Sequence, residues 1–115
     1  MDKDRIADLI RRSFASFRSA DRDEIESLLA ANFTFTSPYD DHIDRAAYFQ
    51  RCWPHAGSFE YHDLKKIFVQ GDECFVLYEA RSKNGEMFRN TELFSIEGGK
   101  IRSVEVFFGL PPQRN

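Results

Sequence analysis

The spacing of apolar residues changes once along this chain, near Gly57, and that change limits the folds open to it. Before Gly57, apolar residues recur at helical intervals, and after it they alternate with polar residues, as in half-buried strands. Three glycine-containing turns interrupt the alternating part, at residues 70–72, 84–85 and 97–99. The sequence therefore predicts helices first and then an antiparallel meander of four strands.

Three helices are predicted in the first half of the chain. Residues 4–19 and the segment after Asp21 carry apolar residues three or four positions apart, so each helix has one buried side. The third helix is predicted over residues 45–53, with Asp44 as its N-cap, and the following proline ends it.

Five strands are predicted, one among the helices and four after them. The first covers residues 32–37 and stops at a proline. The meander strands are expected at residues 58–69, 73–82, 87–96 and 100–108. This order indicates an α+β fold, in which three N-terminal helices gather on one face of a curled, mostly antiparallel sheet.

Length and composition predict one domain. The chain has 115 residues, of which 42% are apolar and 30% charged, so a packed core with a polar surface is feasible. We assign residues 1–110 to this domain and residues 111–115 to a tail. The strands carry apolar residues on both faces, and the face away from the helices is expected to be covered by a second copy of the chain.

Several classes of function are disfavoured by charge and composition. The net charge is −3 and the basic residues are scattered, so nucleic acid is not an expected partner. No apolar run approaches the roughly 20 residues of a membrane helix, and the charged start does not resemble a signal peptide, so we expect a cytoplasmic protein. Cys52 and Cys74 lack the spacing of a redox motif and are expected to be free thiols.

The register of the meander can be predicted if the Asn-Gly and Gly-Gly pairs each form a two-residue loop. One face then combines phenylalanine rings with carboxylates, an amide and a guanidinium, as ligand pockets do. That face would carry Phe75, Leu77, Glu79, Arg81, Phe88, Asn90, Glu92, Phe94, Ser103, Glu105 and Phe107. A one-residue bulge at the Gly-Gly turn would exchange the faces of the last strand.

Glu92 beside Glu105 is the candidate catalytic pair of this face. Repulsion and desolvation would raise the pKa of one carboxyl, and a protonated acid next to an ionised one can act as a general acid/base pair. The alternative is a structural ion network of these two residues with Glu79 and Arg81.

Two further sets of residues carry side chains that occur in metal-binding or catalytic sites. Asp40, Asp41 and His42 carry metal-ligand atoms, but no second spaced ligand set follows, so we expect a solvated turn and no metal. His55 and His62 flank the start of the first long strand, and His55 is the candidate pocket histidine, with aromatic packing as the alternative.

The chain resembles the nuclear-transport-factor-2-like superfamily, which includes SnoaL-like polyketide cyclases, ketosteroid isomerases and limonene epoxide hydrolases. The resemblance rests on the element order and on the stretches LIRRSFASFRSADRDEIESLLAANFTFTSP and NTELFSIEGGKIRSVEVFFG. It implies a cone-shaped fold with a pocket between helices and sheet, no cofactor, and a homodimer formed through the sheet. The implied ligand is a small apolar or polyketide-like molecule.

The resemblance disfavours steroid isomerisation. Ketosteroid isomerases place an aspartate base at the end of the first strand and an oxyanion-binding tyrosine on the first helix, where this chain has Ser37 and Ser13. Their protonated oxyanion-binding aspartate matches Glu92.

Limonene epoxide hydrolases are similar at Asn90, Glu92 and Glu105, although asparagine replaces their arginine. Arg81 is the candidate substitute for that arginine. The resemblance therefore leaves a hydrolase built on the two glutamates as one reading.

We expect residues from the helices, the first strand and the meander to line the pocket. The predicted lining is Ser13, Phe14, Phe17, Phe35, Ser37, Tyr39, Trp53, His55, Leu77, Glu79, Arg81, Asn90, Phe94 and Phe107. Three functions remain open: binding of a small organic molecule, acid/base isomerisation, elimination or hydrolysis by Glu92 and Glu105, and a non-catalytic dimerisation module.

Overall fold

Three helices lie in the first half of the chain, each preceded by an aspartate. The computed structural model describes residues 1–109, so the predicted tail at 111–115 lies outside the described residues. The helices are α1 (Lys3–Ser19), α2 (Arg22–Leu28) and α3 (Arg45–Arg51). Asp2, Asp21 and Asp44 each accept a hydrogen bond from the backbone N–H three residues later, as N-caps do.

Six strands form one curved, open sheet. They are β1 (Leu29–Ser37), β2 (Asp40–Asp44), β3 (Phe59–Gln70), β4 (Glu73–Ser82), β5 (Met87–Glu97) and β6 (Lys100–Phe108). The strand order is β2-β1-β6-β5-β4-β3; β1 pairs in parallel with β6, and the other pairs are antiparallel. The predicted α+β class, with three helices and a four-strand meander, is confirmed.

The first half differs from the prediction at three places. β1 begins at Leu29 rather than at residue 32, because Leu29 already has extended dihedral angles and pairs with Ile101 of β6. β2 was predicted as a solvated turn, yet it pairs with β1 through Phe35 and Ile43. α3 is shorter than residues 45–53 and is followed by a 3₁₀ turn, Trp53–His55.

The predicted register between β4 and β5 is wrong by one residue. Ser82 donates its backbone N–H to the Glu86 carbonyl (2.9 Å), so the loop has three residues rather than two. Gly85 takes a positive φ of 91° in this loop, as three-residue hairpins require of their last position. Tyr78 therefore opposes Asn90, and the even-numbered residues of both strands share one face.

The β5–β6 hairpin contains the bulge that would exchange faces. Glu97 pairs with Lys100 across a two-residue loop as predicted, but the register shifts between Ser95 and Ile96. Beyond this shift Leu93, rather than Glu92, opposes Glu105. The even-numbered residues of β6 between 104 and 108 therefore lie on the same face as those of β4 and β5.

This even-numbered face, here the inner face, packs against the helices. Phe14 of α1 contacts Tyr78 edge to face with ring centroids 4.9 Å apart, and it also contacts Phe94. The core is built from this face together with α1 and β1; its largest fully buried side chains are Phe33, Ile6, Ile10, Ile101, Val76 and Cys74. The cavity described below lies between this face and the helices.

The opposite face, here the outer face, exposes an apolar patch. Phe75 lies opposite Phe68 on the neighbouring strand, and Phe107 lies two strands away on the same side. We call Phe68, Phe75, Leu77 and Phe107 the outer patch; 67%, 46%, 40% and 48% of their surfaces are exposed. Clusters of exposed apolar side chains of this kind mark contact surfaces more often than isolated ones do.

Among residues 1–109, no helix is both long enough and apolar enough to cross a membrane. The predicted cytoplasmic location stays a prediction. Cys52 and Cys74 are free, as predicted.

Candidate functional site

A cavity of about 560 Å³ lies between the helices and the inner face. Its volume falls in the range of small-molecule sites, which is roughly 300 to 1,000 Å³. Its walls are mostly apolar and rich in aromatic rings, with Phe14, Phe17, Phe33, Phe35, Tyr48, Phe59, Tyr78, Phe88, Phe94 and Phe108 among the lining residues. Such walls favour a flat, apolar molecule.

The structure places ten of the residues predicted for the site around this cavity. They are Ser13, Phe14, Phe17, Phe35, Ser37, Tyr39, His55, Asn90, Glu92 and Phe94. Trp53 does not line it, because its ring packs edge-on against Phe17 and Phe49.

Five other predicted residues lie on the outer face, because the true register reverses their orientation: Leu77, Glu79, Arg81, Glu105 and Phe107. Arg81 pairs there with Glu60 at 2.9 Å. Glu79 pairs with Arg89 at 3.2 Å. These contacts keep the two side chains away from the cavity.

Glu92 is the central polar group of the cavity. It lies on β5 between Asn90 and Phe94, and its surroundings are apolar rings and tyrosine hydroxyls. Burial raises the pKa of Glu92 from 4.5 to about 7, and a hydrogen bond with Tyr78 opposes part of that rise. At neutral pH the carboxyl is therefore present in both protonated and ionised forms.

The predicted coupling of Glu92 to Glu105 is wrong. Glu105 opposes Leu93 across the strands, so the two carboxyls extend from opposite faces of the sheet. The raised pKa of Glu92 has burial as its main cause, and repulsion by a second carboxylate is not involved.

A chain of hydrogen bonds leads to Glu92 along the inner face. The Gly109 N–H donates to Asn90 Oδ1 (3.2 Å), and Asn90 Nδ2 donates to the Tyr78 hydroxyl oxygen (3.1 Å). The Tyr78 hydroxyl proton is then free to bond with Glu92. A chain of this kind fixes the donor directions around the carboxyl before any ligand binds.

The tyrosine hydroxyls beside Glu92 stay protonated at neutral pH. Burial raises the pKa of Tyr48 above its usual range, and the charge of Glu92 adds to this. The same two causes raise the pKa of Tyr78. The cavity therefore holds one carboxyl that can exchange a proton near pH 7 and two hydroxyls that can only donate or accept hydrogen bonds.

His62 lines the cavity, although the sequence favoured His55. The His62 ring lies among Phe14, Phe59 and Tyr78, at centroid distances of 5.4, 4.8 and 5.8 Å. Burial lowers the pKa of His62 from 6.5 to about 4, and the charge of Arg18 adds to this, so the ring is neutral at pH 7. His62 is two positions from Leu64, which packs on the core. Because residues two apart in a strand share a face, the sequence could have placed His62 on the inner face.

The stretch after β1 forms the rim of the cavity. Asp40 pairs with Arg51 at 2.7 Å, and the Ser37 hydroxyl lies 3.4 Å from the other Asp40 oxygen.

Burial raises the pKa of Cys52 to about 11, so this thiol is not a nucleophile at neutral pH. Residues 1–109 contain no group of three or more metal-ligating side chains.

The hydroxyls of Ser13 and Ser37 are both engaged in hydrogen bonds and are not placed to transfer a proton. The Ser13 hydroxyl donates to the Ile10 carbonyl of its own helix (2.7 Å). Ser37 Oγ accepts the backbone N–H of Tyr39 (3.1 Å). Of Ser13, Ser37 and Glu92, Glu92 is therefore the residue that can exchange a proton with a ligand at neutral pH.

The sequence model of the SnoaL-like domain matches residues 10–104, which is most of the chain. The chain belongs to the SnoaL-like family. Solved structures of NTF2-like proteins share the fold of this SnoaL-like protein, as its sequence predicts. A search of the curated proteins gives no match.

Three similar structures illustrate this relationship. An NTF2-like protein of unknown function from Cytophaga hutchinsonii is 21% identical, with a TM-score of 0.73 over 90% of this chain and 88% of the other. A putative ketosteroid isomerase from Kribbella flavida is 16% identical, with a TM-score of 0.77 over 97% and 83%. An LEH-like epoxide hydrolase from M. tuberculosis is 14% identical, with a TM-score of 0.70 over 88% and 80%. At these identities the likeness shows the fold alone.

Proposed function

We propose that this SnoaL-like protein binds a small, neutral, mostly apolar organic molecule in the cavity, and that protonated Glu92 donates a hydrogen bond to an oxygen of that molecule. The observation that carries the proposal is one carboxyl with a pKa of about 7 inside an aromatic cavity of about 560 Å³. A buried polar group in a pocket of this kind typically orients the ligand.

The charges around the cavity favour a neutral ligand. Arg51 is the only lysine or arginine among the described lining residues, and it is paired with Asp40 at the rim. An anionic group next to Glu92 would lose its hydration without gaining a positive partner, which is costly. A carbonyl oxygen can accept a hydrogen bond from protonated Glu92 without that cost.

Acid/base catalysis is the second candidate. A carboxyl with a pKa close to neutrality can remove a proton from carbon as the carboxylate and return it as the acid, as an isomerase or lyase requires. Its neighbour Tyr78 would stabilise negative charge on the substrate oxygen by a hydrogen bond. Hydrolysis of an epoxide by two acids and an arginine has less support, because Glu105 and Arg81 extend from the outer face.

The binding proposal predicts a pH-dependent affinity for a neutral ketone. The probe is 6-propionyl-2-(dimethylamino)naphthalene, whose fluorescence reports transfer from water to an apolar site. If protonated Glu92 donates to the carbonyl, affinity should be constant below pH 7 and fall about tenfold per pH unit well above it. Fluorescence titrations at pH 5.5, 7.0 and 8.5 measure this.

Two matched variants isolate the carboxyl. Glu92→Gln keeps a hydrogen-bond donor and should bind the probe with the same affinity at all three pH values. Glu105→Gln removes a carboxyl from the outer face and should keep the wild-type profile. Absence of saturable binding at every pH, or an unchanged pH profile in Glu92→Gln, would show that the proposal is wrong.

We also propose that two copies of the chain associate through the outer patch. The four exposed side chains of this patch lie on one face of the sheet, on β3, β4 and β6, so association would remove them from water together.

Sedimentation equilibrium is the measurement for this association. The wild type should sediment as a dimer at micromolar concentrations, and Phe75→Lys should sediment as a monomer with an unchanged circular dichroism spectrum. Gln50→Lys, which adds the same charge on the exposed side of α3, should remain a dimer. A monomeric wild type would contradict the proposal.

A further inference from the structure

His62 is a polar side chain in a position built for an apolar one. Its ring touches three aromatic rings, none of which offers a hydrogen bond to an imidazole nitrogen in the plane of the ring. A phenylalanine would fill this place with the same contacts, and the chain uses phenylalanine twelve times. The choice of an imidazole here therefore needs a reason other than packing.

Neither nitrogen of His62 is hydrogen-bonded within the described part of the chain. Nδ1 is fully buried without a partner, whereas Nε2 is not enclosed. A neutral imidazole carries its proton on one nitrogen, and a donor without an acceptor is costlier to bury than a lone pair. The proton therefore belongs on Nε2, the nitrogen that is not enclosed, and His62 is one of the residues that line the cavity.

His62 and Glu92 lie at separate places on the inner face. His62 opposes Ala80 on β4, whereas Glu92 opposes Val76 of the same strand from the other side. With strands about 4.8 Å apart and a rise of about 3.4 Å per residue, their backbone positions are about 17 Å apart. The Tyr78 ring lies between them, so one small oxygen group cannot contact both.

We propose that His62 is a second, specificity-determining contact for the ligand, so that the cavity selects an elongated, flat, neutral molecule with an oxygen at each end. One oxygen accepts a hydrogen bond from protonated Glu92 and the other accepts a hydrogen bond from His62 Nε2–H. The proposal rests on the ligand-binding function proposed above and adds the chemical class of the ligand. It also explains why the site keeps an imidazole that the packing alone does not require.

Two naphthalene ketones test the inference. They are 2-acetylnaphthalene, with one oxygen, and 6-hydroxy-2-acetylnaphthalene, with a second oxygen at the far end. The wild type should bind the hydroxy compound about fivefold more tightly at pH 6, which is the effect of one added neutral hydrogen bond. Isothermal titration calorimetry measures both affinities.

Variants assign this preference to His62. In His62→Phe the ratio of the two affinities should fall to about one, and His62→Leu is a second apolar variant for the same comparison. His62→Gln keeps a donor and should retain part of the preference. His42→Asn removes an exposed imidazole at a positive φ of 50°, which asparagine tolerates, and should leave the ratio unchanged.

The outcomes separate this inference from the proposed function. If neither ketone binds the wild type, the proposed function is wrong and the inference is wrong with it. If both bind with equal affinity, or if the apolar variants keep the fivefold ratio, the proposed function stands and the role of His62 is wrong.

Discussion

Replacing Glu92 with glutamine is expected to stabilise the protein by about 3 kcal/mol at pH 8 and to have little effect at pH 4. Folding raises the pKa of this carboxyl from 4.5 to about 7. The folded state therefore holds the proton more tightly than the unfolded state between these two values. The wild type accordingly loses stability as the pH rises from 4.5 to 7, by about 1.4 kcal/mol for each unit of the pKa difference.

Urea unfolding of both proteins between pH 4 and pH 8 measures this effect. The difference between the two free energies of unfolding should grow across that window and then level off. Glu105→Gln, on the outer face, is the control and should differ little from the wild type at each pH. A Glu92→Gln protein that is less stable than the wild type at pH 8, or a difference that does not vary with pH, would contradict the expected burial of the carboxyl.

His62 contributes the opposite pH dependence. Its pKa is lowered from 6.5 to about 4, so the unfolded state binds the proton more tightly in that range. The wild type therefore loses stability as the pH falls from 6.5 towards 4. The two groups compensate between pH 4.5 and 6.5, and Glu92→Gln should reveal the acid-side loss that Glu92 masks.

Replacing Phe33 with alanine is expected to cost about 3–5 kcal/mol of stability. Phe33 is 1% exposed, the largest fully buried side chain of the described residues, and its ring contacts Tyr48 of α3 at 5.2 Å. The substitution enlarges the cavity and removes one of two aromatic contacts between β1 and Tyr48, since Phe35 makes the other. A loss of this size is a large fraction of the stability of an average domain.

The comparison for this prediction is Phe108→Ala. Phe108 has half of its surface exposed near the end of β6, so the same substitution should cost well under 1 kcal/mol. Urea unfolding at one pH gives both values. A loss below about 1.5 kcal/mol in Phe33→Ala would show that the surrounding residues collapse into the space or that the ring is less buried than the structure indicates.

The elements of the meander were predictable within one or two residues, and their register was not. Alternation and glycine turns are local signals, so they give the ends of β3 to β6 directly. An Asn-Gly pair is compatible with loops of two or three residues, and the choice depends on whether Lys83 belongs to a strand or to the loop. The bulge in the β5–β6 hairpin has no local signal either.

These two register errors account for most of the errors in the predicted site. Asn90, Glu92 and Phe94 share a strand, so their common face was correctly predicted from alternation alone. Glu105 and Leu77 depend on pairing with that strand, and both were placed on the wrong face. His62 belongs to β3, whose irregular pairing with β4 near Leu64 interrupts the alternation on which a sequence argument depends.

The three-residue loop that joins β4 to β5 has a consequence for the evolution of this protein. Lys83 is exposed and its side chain has no role in the loop, so substitutions there should accumulate freely, whereas the Asn84 side chain accepts the backbone N–H of Glu86 (3.1 Å). Loss or gain of one residue is different, because it would turn β5 over and carry Asn90 and Glu92 out to the solvent. Residue substitutions at Lys83 in this loop can therefore accumulate during evolution without loss of function. An insertion or deletion of one residue would instead move Glu92 from the cavity to the surface in a single step.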